Sequence, residues 1–325
     1  MHAMTMRYRC HLTNAENIKL IPIMQTNIQA RYRTQRSTRN AQKRQELLSP
    51  NFPGVRPDPI LAKLADPVNH PDFKDERHCL VFWARPSTAV RDLIAEIQRR
   101  LLKAAPGLWI MPPEALHMTV LEIAHSLTAA EVEGLEQQMG DNVEKIVNIT
   151  CEKFETTEKV ARLVCPLLNF DDSSLALQWL PAASPSHGTP GLQDGSDGYT
   201  YHHLRRDVHA AIRDAGLEVA SRYVTPSAHL TICRFINSED LSIRGQSGSG
   251  SVSCVAVDHA KVSKFVETIE EINAWLIAEF WPQAESLPIP RGGEWVVGEE
   301  KGLECRRGTL WYGGGERVCM GREIR

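Results

Sequence analysis

Two short strings in this chain could do chemistry together: His117-Met118-Thr119-Val120 and His229-Leu230-Thr231-Ile232. Each reads His, apolar, Thr, apolar. On a strand, side chains alternate between faces, so His117 and Thr119 share one face and Met118 and Val120 the other. The same alternation groups His229 with Thr231. The two strings lie 112 residues apart and cannot share one local element. Brought side by side, they would place two imidazoles and two hydroxyls around one small volume. One imidazole can take a proton and the other give one near neutral pH, while hydroxyls donate hydrogen bonds to developing negative charge. That set suffices to open a phosphodiester without a metal ion.

One such triplet alone means little. With 12 His and 17 Thr in 325 residues, chance supplies roughly 0.6 His-x-Thr triplets. Requiring an apolar residue after both the His and the Thr lowers this to roughly 0.1, and two occur. A third triplet, His11-Leu12-Thr13, is followed by Asn14 in a polar stretch and reads as coincidence. Other histidines give no competing site. His202, His203 and His209 share one predicted helix without an i, i+4 pair, and read as exposed or helix-end residues; His125 and His259 read as surface.

The elements that must carry the two strings follow from periodicity. Cys79–Ala84 is a strand candidate, and Val90 to Leu102 repeats at helical spacing. A short apolar run at Leu108–Met111 precedes the first motif strand, Leu116–Ile123. Thr128 and Glu131 form a capping-box signature for a helix reaching about Val147. Asn148–Thr157 and Lys159–Leu168 read as two strands, and Tyr201–Ala215 as a helix closed by Gly216. The second motif strand is Ala228–Ile236. A long amphipathic helix covers Ala260–Phe280, and Trp295–Gly298, Leu303–Arg306 and Thr309–Tyr312 suggest a closing β-meander. Loop insertions are expected at 181–198, rich in Pro, Gly, Ser and Asp, and at 245–253, rich in Gly and Ser.

Charge divides the chain. Residues 1–50 hold nine Lys or Arg against two acids, whereas the whole chain has a formal net charge of −3. Residues 1–57 are therefore expected to form a disordered basic tail, a composition shared with mitochondrial presequences. Residues 58–325 are expected to form the catalytic domain. Its acidic body disfavours a broad grip on long nucleic acid. No apolar run is long enough to cross a membrane, and no secretory leader is expected. The eight cysteines show no C-x-x-C pair or zinc spacing, so free thiols in a reducing compartment, cytoplasmic or nuclear, are expected.

On the two motifs, the chain resembles the 2H phosphoesterases, a family named for paired H-x-[TS]-x motifs that includes the 2′,5′-RNA ligase and cyclic phosphodiesterase proteins. Residues 78–312 fit its layout, and Thr231-Ile232-Cys233-Arg234 is similar to its motif tail. The resemblance implies an α+β, bilobal fold: two pseudo-symmetric lobes of antiparallel sheets and flanking helices around a central cleft, with the motifs on adjacent strands. It implies that His117, Thr119, His229 and Thr231 are catalytic, with no cofactor and no metal. Hydrolysis of a 2′,3′-cyclic phosphate to a 2′-phosphate follows for a small nucleotide or an RNA end, by a monomeric enzyme. Transesterifying 3′-end RNA processing, RNA ligase-like activity, or a non-catalytic nucleotide- or RNA-binding module would use the same residues. Strict alternation puts Arg234 opposite His229 and Thr231, in a rim or solvated position.

Overall fold

The computed structural model describes residues 25–182, 198–219, 226–246, 252–282 and 289–324. Its elements in chain order are helices α1 (Gln25–Leu47) and α2 (Pro59–Leu64), strand β1 (His78–Ala84), helix α3 (Thr88–Ala104), and strands β2 (Leu108–Ile110) and β3 (Met118–Leu127). Helices α4 (Ala129–Met139), α5 (Asn142–Val147) and α6 (Ile149–Thr157) follow, then β4 (Arg162–Phe170), β5 (Ser174–Pro181), α7 (Tyr201–Asp214) and β6 (Ala228–Phe235). The chain continues with β7 (Ser242–Gln246), β8 (Val252–Val257), α8 (His259–Phe280), β9 (Glu294–Val296), β10 (Leu303–Gly308) and β11 (Glu316–Met320).

Every strand pairing is antiparallel. Sheet one has the order β11-β10-β1-β3, sheet two β2-β6-β5-β4-β9, and β7-β8 form a separate hairpin. The expected mixed α and β architecture with antiparallel sheets is present. The halves of the chain do not each build one sheet, however: sheet one recruits the C-terminal strands β10 and β11, and sheet two takes β2 from the first half. The motif strands β3 and β6 are not neighbours in one sheet, as the resemblance implied, but belong to different sheets.

The basic-tail expectation for residues 1–57 is overturned from Gln25 onward. Ile28, Tyr32, Arg36 and Asn40 recur every four residues along α1, and Ile28, Tyr32, Arg36 and Leu47 are buried. The helix lies on β4 and β5, where the ladder is irregular. Their register shifts between Val164 and Leu167, around Cys165 at φ 56° and Pro166, which has no N–H to give. Strand carbonyls in and beside this stretch accept from α1. Arg36 donates to the carbonyls of Cys165 (2.7 Å) and Gln178 (3.3 Å), and Asn40 to that of Leu168 (3.1 Å). The polar residues that make this segment read as solvated are thus the ones that dock it.

Other expectations are corrected locally. Residues 149–157 are helical rather than extended; the helix follows α5 directly and ends at Glu158, in the left-handed region. The helix begun by the Thr128–Glu131 capping box stops at Gly140, after which α5 starts anew. The closing meander does not form: β9 pairs with β4 in sheet two, β10 and β11 pair in sheet one, and residues 309–312 make the turn between those two. Residues 245–253 include parts of the β7-β8 hairpin, with 247–251 outside the described residues. Most of the 181–198 insertion also lies outside them. Among the described residues, no helix is long and apolar enough to cross a membrane.

Candidate functional site

The cleft face of sheet one is set by β1. Leu80, Phe82 and Ala84 enter the main core, whereas Cys79, Val81 and Trp83 form a smaller apolar cluster with Leu310 on the other face. Thr119 of β3 lies opposite Trp83, and Glu122 opposite Val81. Phe82 pairs with Leu121 while Trp83 pairs with Thr119, so Val120 is an extra residue, a β-bulge. The bulge breaks the alternation and returns Glu122 to the face that carries Thr119.

Strand β6 repeats the device. His229, Thr231 and Arg234 lie opposite Gln178, Ala176 and Ser174, alternate residues of β5 on one face. Cys233 pairs with Leu175 and Thr231 with Ala176, which makes Ile232 the extra residue. Ile232 and Cys233 are both buried, and Arg234 comes back beside Thr231. The rim position expected for Arg234 is therefore corrected: strict alternation fails at the bulge. In both strands the bulge falls on the residue just after the motif threonine.

The four sequence-predicted residues His117, Thr119, His229 and Thr231 line one recess of about 70 Å³, together with Glu122, Arg234 and Trp83. A larger recess of about 270 Å³ opens from the same wall. It shares His229, Thr231 and Arg234, and it extends over β4 and β5 to Gln35 and Arg39 of α1.

His117 is held on three sides. Its ring stacks on Trp83, with centroids 3.7 Å apart and planes 17° apart. Its Nδ1 lies 2.7 Å from the Ala115 carbonyl. A carbonyl only accepts, so Nδ1 carries a proton, and Nε2 is the nitrogen left to serve the recess. The loop before His117 is anchored by Arg85, which donates to the carbonyls of Glu114 (3.2 Å) and Leu116 (3.0 Å). Arg85 in turn bonds Glu304, a fully buried carboxylate that also accepts from Arg306 and Arg317, each at 2.8 Å. Burial alone would raise the Glu304 pKa, but the hydrogen bonds from its arginines overcome it and hold the group at about 2. The turn after β10 supports the loop from outside. Gly313 has φ +83°, and a Cβ there would lie 2.4 Å from the Ala115 Cβ and 3.0 Å from the Ala115 oxygen.

His229 has a matching arrangement two residues back: its Nδ1 is 3.1 Å from the Ser227 hydroxyl. Both histidines keep some exposure to the recess, yet protein encloses their rings. Burial pushes His117 down to about 3, with smaller lowering effects from Arg85 and His229 against the opposing Ala115 carbonyl and Glu304. Burial likewise pushes His229 down to about 4, assisted by the positive charges of Arg39, Arg205 and Arg234. At neutral pH both rings are neutral, and either can accept a proton.

Helix α7 backs the first motif strand: Tyr201 Oη donates to the Thr119 carbonyl and Arg205 Nε to that of Val120, each at 3.0 Å. Two of its histidines serve the fold. His203 Nδ1 accepts from the Thr200 N–H at 3.1 Å, and His209 is buried rather than exposed as expected. Among the described residues, no group of three or more His, Cys, Asp or Glu side chains is placed to share a metal ion. The six cysteines whose side chains are described are free.

Sequence reading missed Glu122, Arg234, Trp83, Gln35 and Arg39. The β-bulges that bring in the first two leave no mark in a single sequence. Trp83 is announced only by its place in a predicted strand, and the composition of α1 reads as solvated.

No protein-family model and no curated protein matches the chain. Among solved structures it is similar to a conserved protein of unknown function from Agrobacterium tumefaciens, with 10% identity and a TM-score of 0.44, over 85% of this chain and 97% of that one. It is also similar to Usb1 of Kluyveromyces marxianus, with 12% identity and a TM-score of 0.30, over 73% of this chain and 98% of that one.

Proposed function

We propose that the smaller recess is the active site of a phosphodiesterase acting on a 2′,3′-cyclic phosphate or an RNA-end phosphodiester. One observation carries this reading. Four residues from strings 112 positions apart, on or immediately before strands of two different sheets, line a single recess.

In this mechanism one imidazole removes a proton from the attacking water through Nε2. The new P–O bond forms as the bond to the ribose oxygen breaks, and the second imidazole, protonated, delivers its proton to that leaving oxygen. Water and the cyclic ester become one phosphomonoester; the ring that took the proton then returns it to solvent and the other takes one up, which restores both for the next turnover. Thr119 and Thr231 donate to the non-bridging oxygens, where charge builds in the transition state. The anionic phosphate brings negative charge against both rings, which favours the imidazolium that burial disfavours in the free protein. No step requires a metal ion.

The test is hydrolysis of 2′,3′-cyclic mononucleotides and of RNA with cyclic-phosphate or free 3′ ends, in the presence of EDTA. Monoester product from one of these classes is expected. Phosphate-dependent binding without turnover on any of them would instead identify a nucleotide-binding module.

A further inference from the structure

We propose that the larger recess is a nucleoside subsite of the same substrate, read by Gln35 and Arg39 of α1 together with Asn169 and Gln178 of sheet two. This inference rests on the phosphodiesterase reading of the adjoining site and names the substrate class it takes.

The two recesses share a wall of His229, Thr231 and Arg234, so a group attached to a phosphate held at Thr231 reaches the larger one directly. At about 270 Å³, it lies just under the range of ~300–1,000 Å³ typical of small-molecule sites. That suits one nucleoside and not a polymer.

The chemistry of the wall is that of neutral hydrogen bonding. Asn169 and Gln178 are 7% and 1% exposed, and the Asn169 Nδ2 donates to the Gln178 Oε1. Asn169 lines the recess, and its Oδ1 is buried with no hydrogen-bond partner in the protein. Gln178 Nε2 donates to the Gln35 Oε1 at 3.3 Å, which joins the sheet to the helix. Ser174 and Ser227 add hydroxyls.

The charged groups are mostly spoken for. Arg39 pairs with Asp171 at 2.8 Å, and Asp171 also accepts from the backbone N–H groups of Ser173 and Ser174. A track for further phosphates needs a run of available cations; this recess has two, the paired Arg39 and the Arg234 of the wall shared with the smaller recess, and its other hydrogen-bonding groups are chiefly amides and hydroxyls. Those groups match ribose hydroxyls and the donor–acceptor edges of a base. A bare ribose cyclic phosphate would fill the small recess and leave the large one unread.

The full chain should therefore hydrolyse nucleoside 2′,3′-cyclic phosphates with a kcat/KM about tenfold or more above that for the base-free ribose cyclic phosphate, the scale of two or three recovered hydrogen bonds. Gln35→Ala and Arg39→Ala, both on the partly exposed helix surface, should each cut that preference by about threefold or more, through KM. Asn169→Ala is a third variant, with thermal melting to confirm that it folds. A wild-type preference near one, or a preference unchanged in all three variants, overturns the subsite. If the wild type turns over neither substrate, the phosphodiesterase reading fails by itself. Calorimetric binding of a nucleoside monophosphate then decides the subsite: binding weakened in Gln35→Ala and Arg39→Ala sustains it, and no binding or equal binding overturns it.

Discussion

The two histidines reach the recess by the same local recipe, a backbone or hydroxyl oxygen two residues earlier that engages Nδ1. In the proposed mechanism each ring is a general acid or base, so His117→Ala and His229→Ala should each lower turnover by about 100-fold or more. Steady-state hydrolysis of a cyclic nucleotide by folded variants checks this. Thr119→Val and Thr231→Val should each cost about 3 kcal/mol of transition-state stabilisation, in kcat more than KM. The buried rings also set a pH signature. The kcat/KM profile reports the free protein, in which one ring neutral and one protonated is most populated between about 3 and 4. It should therefore fall through neutral pH, while the kcat profile, which reports the substrate-bound state, should peak at higher pH. A kcat/KM optimum at or above pH 7 would show that the free rings are not held low. The spacing of His117 with Thr119 and of His229 with Thr231 is legible in the sequence because alternation holds over three residues. Glu122 and Arg234 are not, because a one-residue bulge reverses the face and only the partner strand's register reveals it.

At the scale of elements, sequence periodicity locates most of the strands that matter. It places β1, β3, β4 and β6, the capping box of α4 and nearly all of α8. It fails where tertiary contacts decide. Every fourth residue of α1 faces the sheet, but two of those four positions are Arg36 and Asn40, whose partners are carbonyls of the distant strand β4 near its irregularity at Cys165 and Pro166. No pattern within residues 25–47 announces that. The docking should be visible in stability: Leu47→Ala, at a site 1% exposed, should cost about 2–5 kcal/mol in urea unfolding, whereas a solvated tail would give almost nothing. The turn carrying Gly313 is a second element-level constraint. Gly313→Ala demands both a strained φ and space occupied by Ala115, whose carbonyl holds His117. It should lower kcat together with the melting temperature, a coupling that a simple loop substitution would not produce.

For the whole molecule, the depressed imidazoles link folding to acidity. An unfolded chain protonates its histidines near pH 6.5, but folded His117 does so only near 3 and folded His202 and His229 only near 4. Between about pH 6.5 and 4 the unfolded state binds more protons, so stability falls as pH falls. Glu299, raised by burial to about 7, works in the opposite direction as pH drops from 7 toward 4.5. With three histidines against one carboxyl, the midpoint of urea unfolding should decrease from pH 7 to pH 5, and His229→Asn should reduce the decrease. The charge balance is also global. A basic α1 lies on a body that leaves the chain at a formal −3, and α1 spends part of its charge on contacts with the rest of the molecule, such as Arg39–Asp171 and Arg44–Glu270.

The stack of His117 on Trp83 gives the site its own optical reporter. An imidazolium in van der Waals contact with an indole accepts an electron from its excited state, whereas a neutral imidazole does so poorly. Trp83 emission should therefore dim as His117 gains a proton. The difference spectrum between the wild type and Trp83→Phe would isolate that emission from the other six tryptophans. Its midpoint would give the protonation of a single ring in the resting protein. The displacement of that midpoint on adding a phosphate monoester would measure, without any turnover, how strongly an anion in the recess recharges the site.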